Sequence, residues 1–319
     1  MTATLPDRDA DVASPPAPEP NPAPAARPTR APEPRLPRRG DDLWTVVSTT
    51  GTMVAIVCLW VVGQMLFLSS FSQARSQDLL YDEFRTAIAG DPNIVPPIGP
   101  TVPVGDPVAL LTIPRIGVSQ VVVEGTASGD TLAGPGHLRK TVLPGQAGTS
   151  VVVGRSATYG APFRDLGDLR PGDDLSVVMA QGEVDFKVVN VRRAGDPYSQ
   201  PLPAGGARLV LVTAEGSGPL ASLTPGSVVY VDADAPKGFI PPSGLPATVP
   251  EPEQVMHSDH GALPLLALHL ALLLAVILGV VAARQRWSAP LVWILTTPIA
   301  VALAWSTTDV VMRLLPNVV

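Results

Sequence analysis

Three stretches of the chain are apolar with almost no charged interruption: Leu43–Leu68, Ala262–Ala283 and Leu291–Met312. Each is long enough to cross about 30 Å of hydrocarbon as a helix. The third is interrupted by Pro298 and Asp309. The first is too long, and starts too deep in the chain, for a cleaved leader, so it reads as an uncleaved anchor over 43–69. Three membrane spans are therefore expected, at 43–69, 262–283 and 291–312.

Between the first two spans the period changes. Over 73–90, Leu79, Leu80, Phe84 and Ile88 recur at helical spacing, which predicts a short amphipathic helix next to the membrane. A proline-rich linker follows at 91–106. From 107 to 235 the texture is short apolar runs separated by Gly, Pro and Asp, the mark of strands. The runs are ALLTIPRIG (109–117), SQVVVEG (119–125), TSVVVG (149–154), DLSVVMAQG (174–182), EVDFKVVNVRR (183–193), ARLVLVT (207–213) and GSVVYVDAD (226–234). A hairpin is predicted around Gln181-Gly182. So many short strands in about 130 residues make an all-β barrel or sandwich. Residues 236–261 read as a second, unstructured Pro-rich linker.

Residues 1–42 change the picture at the other end. They hold a dense share of the 37 prolines and little to bury, which predicts a disordered or polyproline tail. Arginines then set the orientation. Arg27, Arg30, Arg35, Arg38 and Arg39 precede the first span, and Arg284 and Arg286 lie between the second and third. The positive-inside rule puts both sets in the cytoplasm and the strand-rich domain outside it. A net charge of −6, with no basic aromatic-studded stretch, argues against nucleic acid as a partner.

Candidate chemistry is sparse. The one cysteine, Cys58, lies in the first span, so the strand-rich domain has neither thiol nor disulfide. His137 is the lone histidine of that domain and reads as structural or solvated. His257 and His260 fall in the second linker without the carboxylate or thiol partners a metal would need, and no metal or cofactor is expected. His269 lies within a span. Neither a Gly-x-Ser-x-Gly elbow nor a glycine-rich phosphate cradle is present.

One series of motifs does stand out. Ile113-Pro114-x-Ile116-Gly117 is followed by GPGH, LPGQAG, a valine strand into TYGAPF, LRPGDDLSV, LVLVTA and VVYVDADA. In that order the chain resembles the sortase family of high-GC Gram-positive bacteria over about 107–235. The resemblance implies an eight-stranded barrel, a membrane anchor and a cysteine transpeptidase. Such an enzyme cuts a Leu-Pro-x-Thr-Gly sorting signal and joins it to an envelope amine. It implies a His in a Gly-His-Arg motif after the valine strand, a Cys ending the penultimate strand, and an Arg starting the last.

This chain departs from that pattern at all three places. Gly154-Arg155-Ser156 stands where the His motif is expected, and Thr213-Ala214 where the strand should end in Thr-Cys. No arginine lies between Leu209 and Ala283. The groove implied by the resemblance would be formed by Arg155, Ser156, Tyr159, Thr213, Ala214, Glu215 and His137, with no catalytic residue among them. Arg155 is expected beside Ala214, with Glu215 as the nearest acid for its charge.

The function read from the sequence is a membrane-anchored, catalytically inactive pseudo-sortase of the cell envelope. It would serve as a binding or scaffolding module for an envelope protein or peptide. Two alternatives stand beside it: an unorthodox hydrolase or transpeptidase using Ser156, Tyr159, Thr213 or Glu215, and a membrane assembly factor acting through its spans. Leu245-Pro246-Ala247-Thr248-Val249 nearly spells a sorting signal. Val249 in place of glycine, and the distance to the next span, make it part of the linker.

Overall fold

The structure is a computed structural model that describes residues 55–56, 58–89, 96–99, 101–216, 226–284 and 287–319. The expected tail at 1–42 and the start of the first span, 43–54, lie outside the described residues. From residue 58 the chain is helical, passes through a π-helical turn at Gln64–Leu68, and continues as α1 (Ser69–Ile88).

Eight strands follow: β1 (Pro107–Ile113), β2 (Val118–Glu124), β3 (Gly136–His137), β4 (Gly148–Val153), β5 (Asp174–Met179), β6 (Gly182–Arg193), β7 (Ala207–Glu215) and β8 (Ser227–Ala235). They close into a barrel in the order β1-β2-β3-β4-β7-β8-β6-β5. Closure leaves no open sheet edge, which is how an all-β domain satisfies its ladder groups. Two pairings are parallel, β2 with β3 and β4 with β7; the others are antiparallel. The sequence pattern marks seven of these strands. It misses β3, because two residues are too few to show a period.

Alternation explains the core. In β6, Val184, Phe186 and Val188 point inward while Glu183, Asp185 and Lys187 are exposed. The turn into β6 is the predicted hairpin, with Met179 opposite Gly182. β7 breaks the alternation. Leu209 and Leu211 face the barrel interior, whereas Val210, Val212 and Ala214 face the other way and are buried too. A strand apolar on both faces needs a second cover outside the barrel.

The predicted amphipathic helix exists as part of α1, but its buried face differs. Phe84 is buried, while Leu79 is 62% exposed and Ile88 39%. Polar side chains of the helix also meet the barrel. Gln77 Oε1 accepts from Val121 N at 2.7 Å, and its Nε2 donates to Val121 O at 3.1 Å and Ala133 O at 2.8 Å. The side chain thereby pairs backbone groups of β2 as a neighbouring strand would, a role hydrophobic periodicity does not detect.

The linker at 236–261 corrects a second expectation. It holds little regular structure, yet it is strapped to the barrel. Phe239 exchanges backbone bonds with Gly145 and Ala147, and buried Glu253 makes a two-pronged salt bridge with Arg139. The two C-terminal helices are α2 (Leu263–Arg284) and α3 (Ala289–Arg313). Among the described residues, the two helices long and apolar enough to cross a membrane cover His260–Val280 and Pro290–Arg313, which suggests membrane association. The expected first span is not a third, part of it lying outside the described residues. Asp259 N donates to Arg313 O at 2.9 Å, so the start of α2 and the end of α3 meet beside the barrel.

Candidate functional site

The parallel ladder between β4 and β7 builds the site. Its last register pair is Val153 opposite Val212; Gly154 N then donates to Val212 O, and Thr213 Oγ1 to Gly154 O, each at 2.9 Å. Arg155, just past the end of β4, is therefore placed beside Ala214, the penultimate residue of β7. Glycine at 154 is dictated by packing: a Cβ there would lie 2.3 Å from the ring of Phe163, which is fully buried.

Arg155 is itself fully buried, and all five guanidinium hydrogens have acceptors. Nε donates to Thr131 O at 3.2 Å. Nη1 donates to Thr158 Oγ1 at 3.1 Å and Val319 O at 2.8 Å. Nη2 donates to Ser128 O at 2.7 Å and Ser128 Oγ at 2.9 Å. No Asp or Glu side chain is among these partners. Burial pulls the guanidinium down to about 10, still cationic at neutral pH. The face of Tyr159 lies 5.7 Å away and adds a cation–π contact.

Four segments converge here: the loop Thr126–Thr131, the turn Arg155–Tyr159, the strap at 254–257, and the tail Leu314–Val319. Ser156 N and Oγ donate to Val318 O at 3.0 and 3.2 Å. The Val318 side chain packs in a cluster with Val153, Val210, Val212 and Ala214, supplying the cover that the outer face of β7 requires. Ser128 Oγ also donates to Met312 O at 2.8 Å, and the Tyr159 hydroxyl to Asp309 Oδ1, which joins the site to α3. Burial, then the Asp309 bond, push the Tyr159 phenol well above its ordinary value.

The structure thus brings together Arg155, Ser156, Tyr159, Thr213 and Ala214. It does not bring in the other two. Glu215 accepts from Arg193 Nε and Nη2 at 2.5 and 2.6 Å, bonds that hold its carboxyl below the usual range, so the expected pairing with Arg155 is replaced. His137 belongs to a separate buried knot, with Nδ1 2.7 Å from Glu124 Oε2 and Nε2 2.9 Å from Val142 O. Among the described residues no group of three or more His, Cys, Asp or Glu could hold a metal ion.

Residue reading missed Ser128, Thr131, Thr158 and the whole tail. One signal was available. Leu315-Pro316-Asn317-Val318-Val319 keeps the Leu-Pro of the Leu-Pro-x-Thr-Gly pattern, with valine, the isostere of threonine, in the fourth place, a weaker match than Leu245–Val249.

Residues 111–217 match the family model of the sortase domain. That match covers about a third of the chain, and over it the chain is similar to sortases. Sortase D of Bacillus subtilis (strain 168) is 32% identical over 88 residues, 28% of this chain and 43% of the relative. The chain therefore spans less than half the length of that curated relative. Among solved structures, a Clostridium perfringens sortase D5 transpeptidase is 18% identical at a TM-score of 0.40, covering 50% of this chain and 98% of its own. Sortase C-1 from Actinomyces oris is 23% identical at 0.35, covering 49% and 98%. The matched sortase segment includes Arg155, Thr213 and Ala214 but ends before the tail that fills the site.

Proposed function

We propose that this protein is a non-catalytic sortase, a scaffolding module of the cell envelope whose barrel is joined rigidly to a membrane hairpin. The observation that carries the reading is Arg155. A family member working by nucleophilic attack needs a thiol and a proton shuttle at these strand ends. Here the two places hold Ala214 and a guanidinium that cannot shuttle protons near neutral pH. That guanidinium has every donor committed.

The hydroxyls that an unorthodox mechanism would use are committed too. Ser156 Oγ donates to Val318 O, Thr213 Oγ1 to Gly154 O, and Tyr159 to Asp309. Activation of a hydroxyl requires a base accepting its proton, and only Tyr159 faces a carboxylate. Burial raises that phenol's pKa rather than lowering it. The partners of the scaffold would be envelope proteins, the class on which sortases act.

The test is turnover. Full-length protein in detergent is incubated with a quenched sorting-signal peptide library and an amine acceptor, and products are followed by mass spectrometry. No cleavage or transfer is expected. Turnover abolished by Thr213→Val or Glu215→Gln would promote the hydrolase alternative instead.

A further inference from the structure

The tail meets the cleft in the way a bound peptide meets its receptor. Three successive carbonyls are held by side chains or backbone of distant segments. Asn317 O accepts from Thr131 Oγ1 at 3.1 Å, Val318 O from Ser156, and Val319 O from Arg155 at 2.8 Å and Thr158 Oγ1 at 2.7 Å. Two side chains are read as well. The Asn317 carboxamide accepts from Met256 N at 3.0 Å and donates to Thr126 O at 2.6 Å and Gln254 O at 3.0 Å. Val318 fills the apolar pocket over Ala214. Asn317, Val318 and Val319 are each fully buried.

The charge balance points to one more property of the ligand. A buried guanidinium is costly unless an anion faces it, and neutral oxygens compensate it only in part. None of the five acceptors of Arg155 is an Asp or Glu side chain, and one of them is Val319 O. A peptide carboxylate at the place of Val319 O would supply an anion to face the guanidinium and could accept two of the fork's bonds.

We propose that the cleft is a binding site for a peptide end carrying a free carboxylate, and that Leu314–Val319 is its resident ligand in cis. An external peptide then enters only where the tail has left. This rests on reading the cleft as a binding rather than a catalytic site. The ligand class is an extended peptide with a carboxamide side chain two residues before its end, a small β-branched residue next, and a terminal carboxylate over Arg155 and Thr158.

The experiment compares the full chain with a variant ending at Arg313, both in mild detergent. The probes are labelled Arg-Leu-Leu-Pro-Asn-Val-Val as free acid, the same peptide as C-terminal amide, and a scrambled free acid. Fluorescence anisotropy should show saturable binding of the free acid to the shortened chain, at least tenfold weaker binding to the full chain, and at least tenfold weaker binding of the amide and the scrambled peptide. The shortened chain should also gain thermal stability with free-acid concentration, as mass action requires. If it shows a melting transition only with peptide present, that supports the proposal equally. No binding and no transition with peptide would overturn it, as would equal binding by both chains. Equal binding of acid and amide would overturn the assignment of a carboxylate. Mass spectrometry of the recovered peptides separates the two readings: cleavage would defeat the non-catalytic one while leaving the competition between tail and peptide standing.

Discussion

Arg155→Met removes the guanidinium while keeping most of the side-chain volume. Thr131 O then loses its donor, Ser128 O is left to compete with Asn317 O for the single Thr131 hydroxyl proton, and Val319 O keeps Thr158 Oγ1. Hydrogen bonds from a charged donor are worth about 1.5–3 kcal/mol each. Relief of the buried charge returns several kcal/mol. The net expectation is a loss of about 2–4 kcal/mol, because the carbonyls were arranged for a cation and stay behind without one. Hydrogen exchange of the full chain in detergent reads this locally. At 1.4 kcal/mol per factor of ten, the Ser156 amide, bonded to Val318 O, should exchange roughly 30- to 700-fold faster. The Gly154 amide, bonded to Val212 O inside the barrel, should change far less. Arg155→Lys keeps the charge but offers three donors for five acceptors, so it should also lose protection at Ser156. If the Met variant stays within about twofold of the parent at Ser156, Arg155 does not hold the tail and the reasoning fails.

Other consequences can be checked independently. The Asp130 carboxyl is raised to about 6 by burial, against its bond from Ala127 N and with Glu253 nearby; the folded state therefore binds more protons than the unfolded one between the ordinary 3.8 and about 6, stability should rise as pH falls through that window, and Asp130→Asn should flatten a denaturation profile measured across it. Ala214→Cys should yield a thiol covered by Val318, unreactive to maleimide in the full chain and alkylated once Leu314–Val319 is deleted; rapid labelling of the full chain would contradict the packing. For topology, α2 has 22 residues and so spans about 33 Å, with its start tied to the barrel side through Asp259 and Arg313. With Cys58 replaced, an impermeant thiol reagent on intact cells should label Gln200→Cys on the barrel and spare Ser288→Cys; the reverse pattern would invert the orientation.

Local pattern carried much of the architecture. Period-two alternation in β6, valine runs in β2 and β4, and turn residues between them specify strands wherever a strand exceeds five residues, because each inward side chain repeats the same signal. The ordered motifs from Ile113 to Asp234 then named the family, and Arg155 and Ala214 could be placed at adjacent strand ends before any coordinates. What the pattern lacked was partner identity. Gln77 satisfies a strand's backbone, Glu253 anchors a strap to Arg139, and Glu215 turns to Arg193 rather than Arg155. Each of these depends on which distant segment lies opposite, and no periodicity encodes that. The run Leu209–Ala214 shows both halves of the matter. Its lack of alternation announces that both faces are buried, so a cover outside the barrel was implied by sequence alone. That the cover is Val318, more than a hundred residues away and delivered by a membrane-type helix, was settled by tertiary structure, where burying the outer valines and satisfying the Arg155 fork require the same few residues.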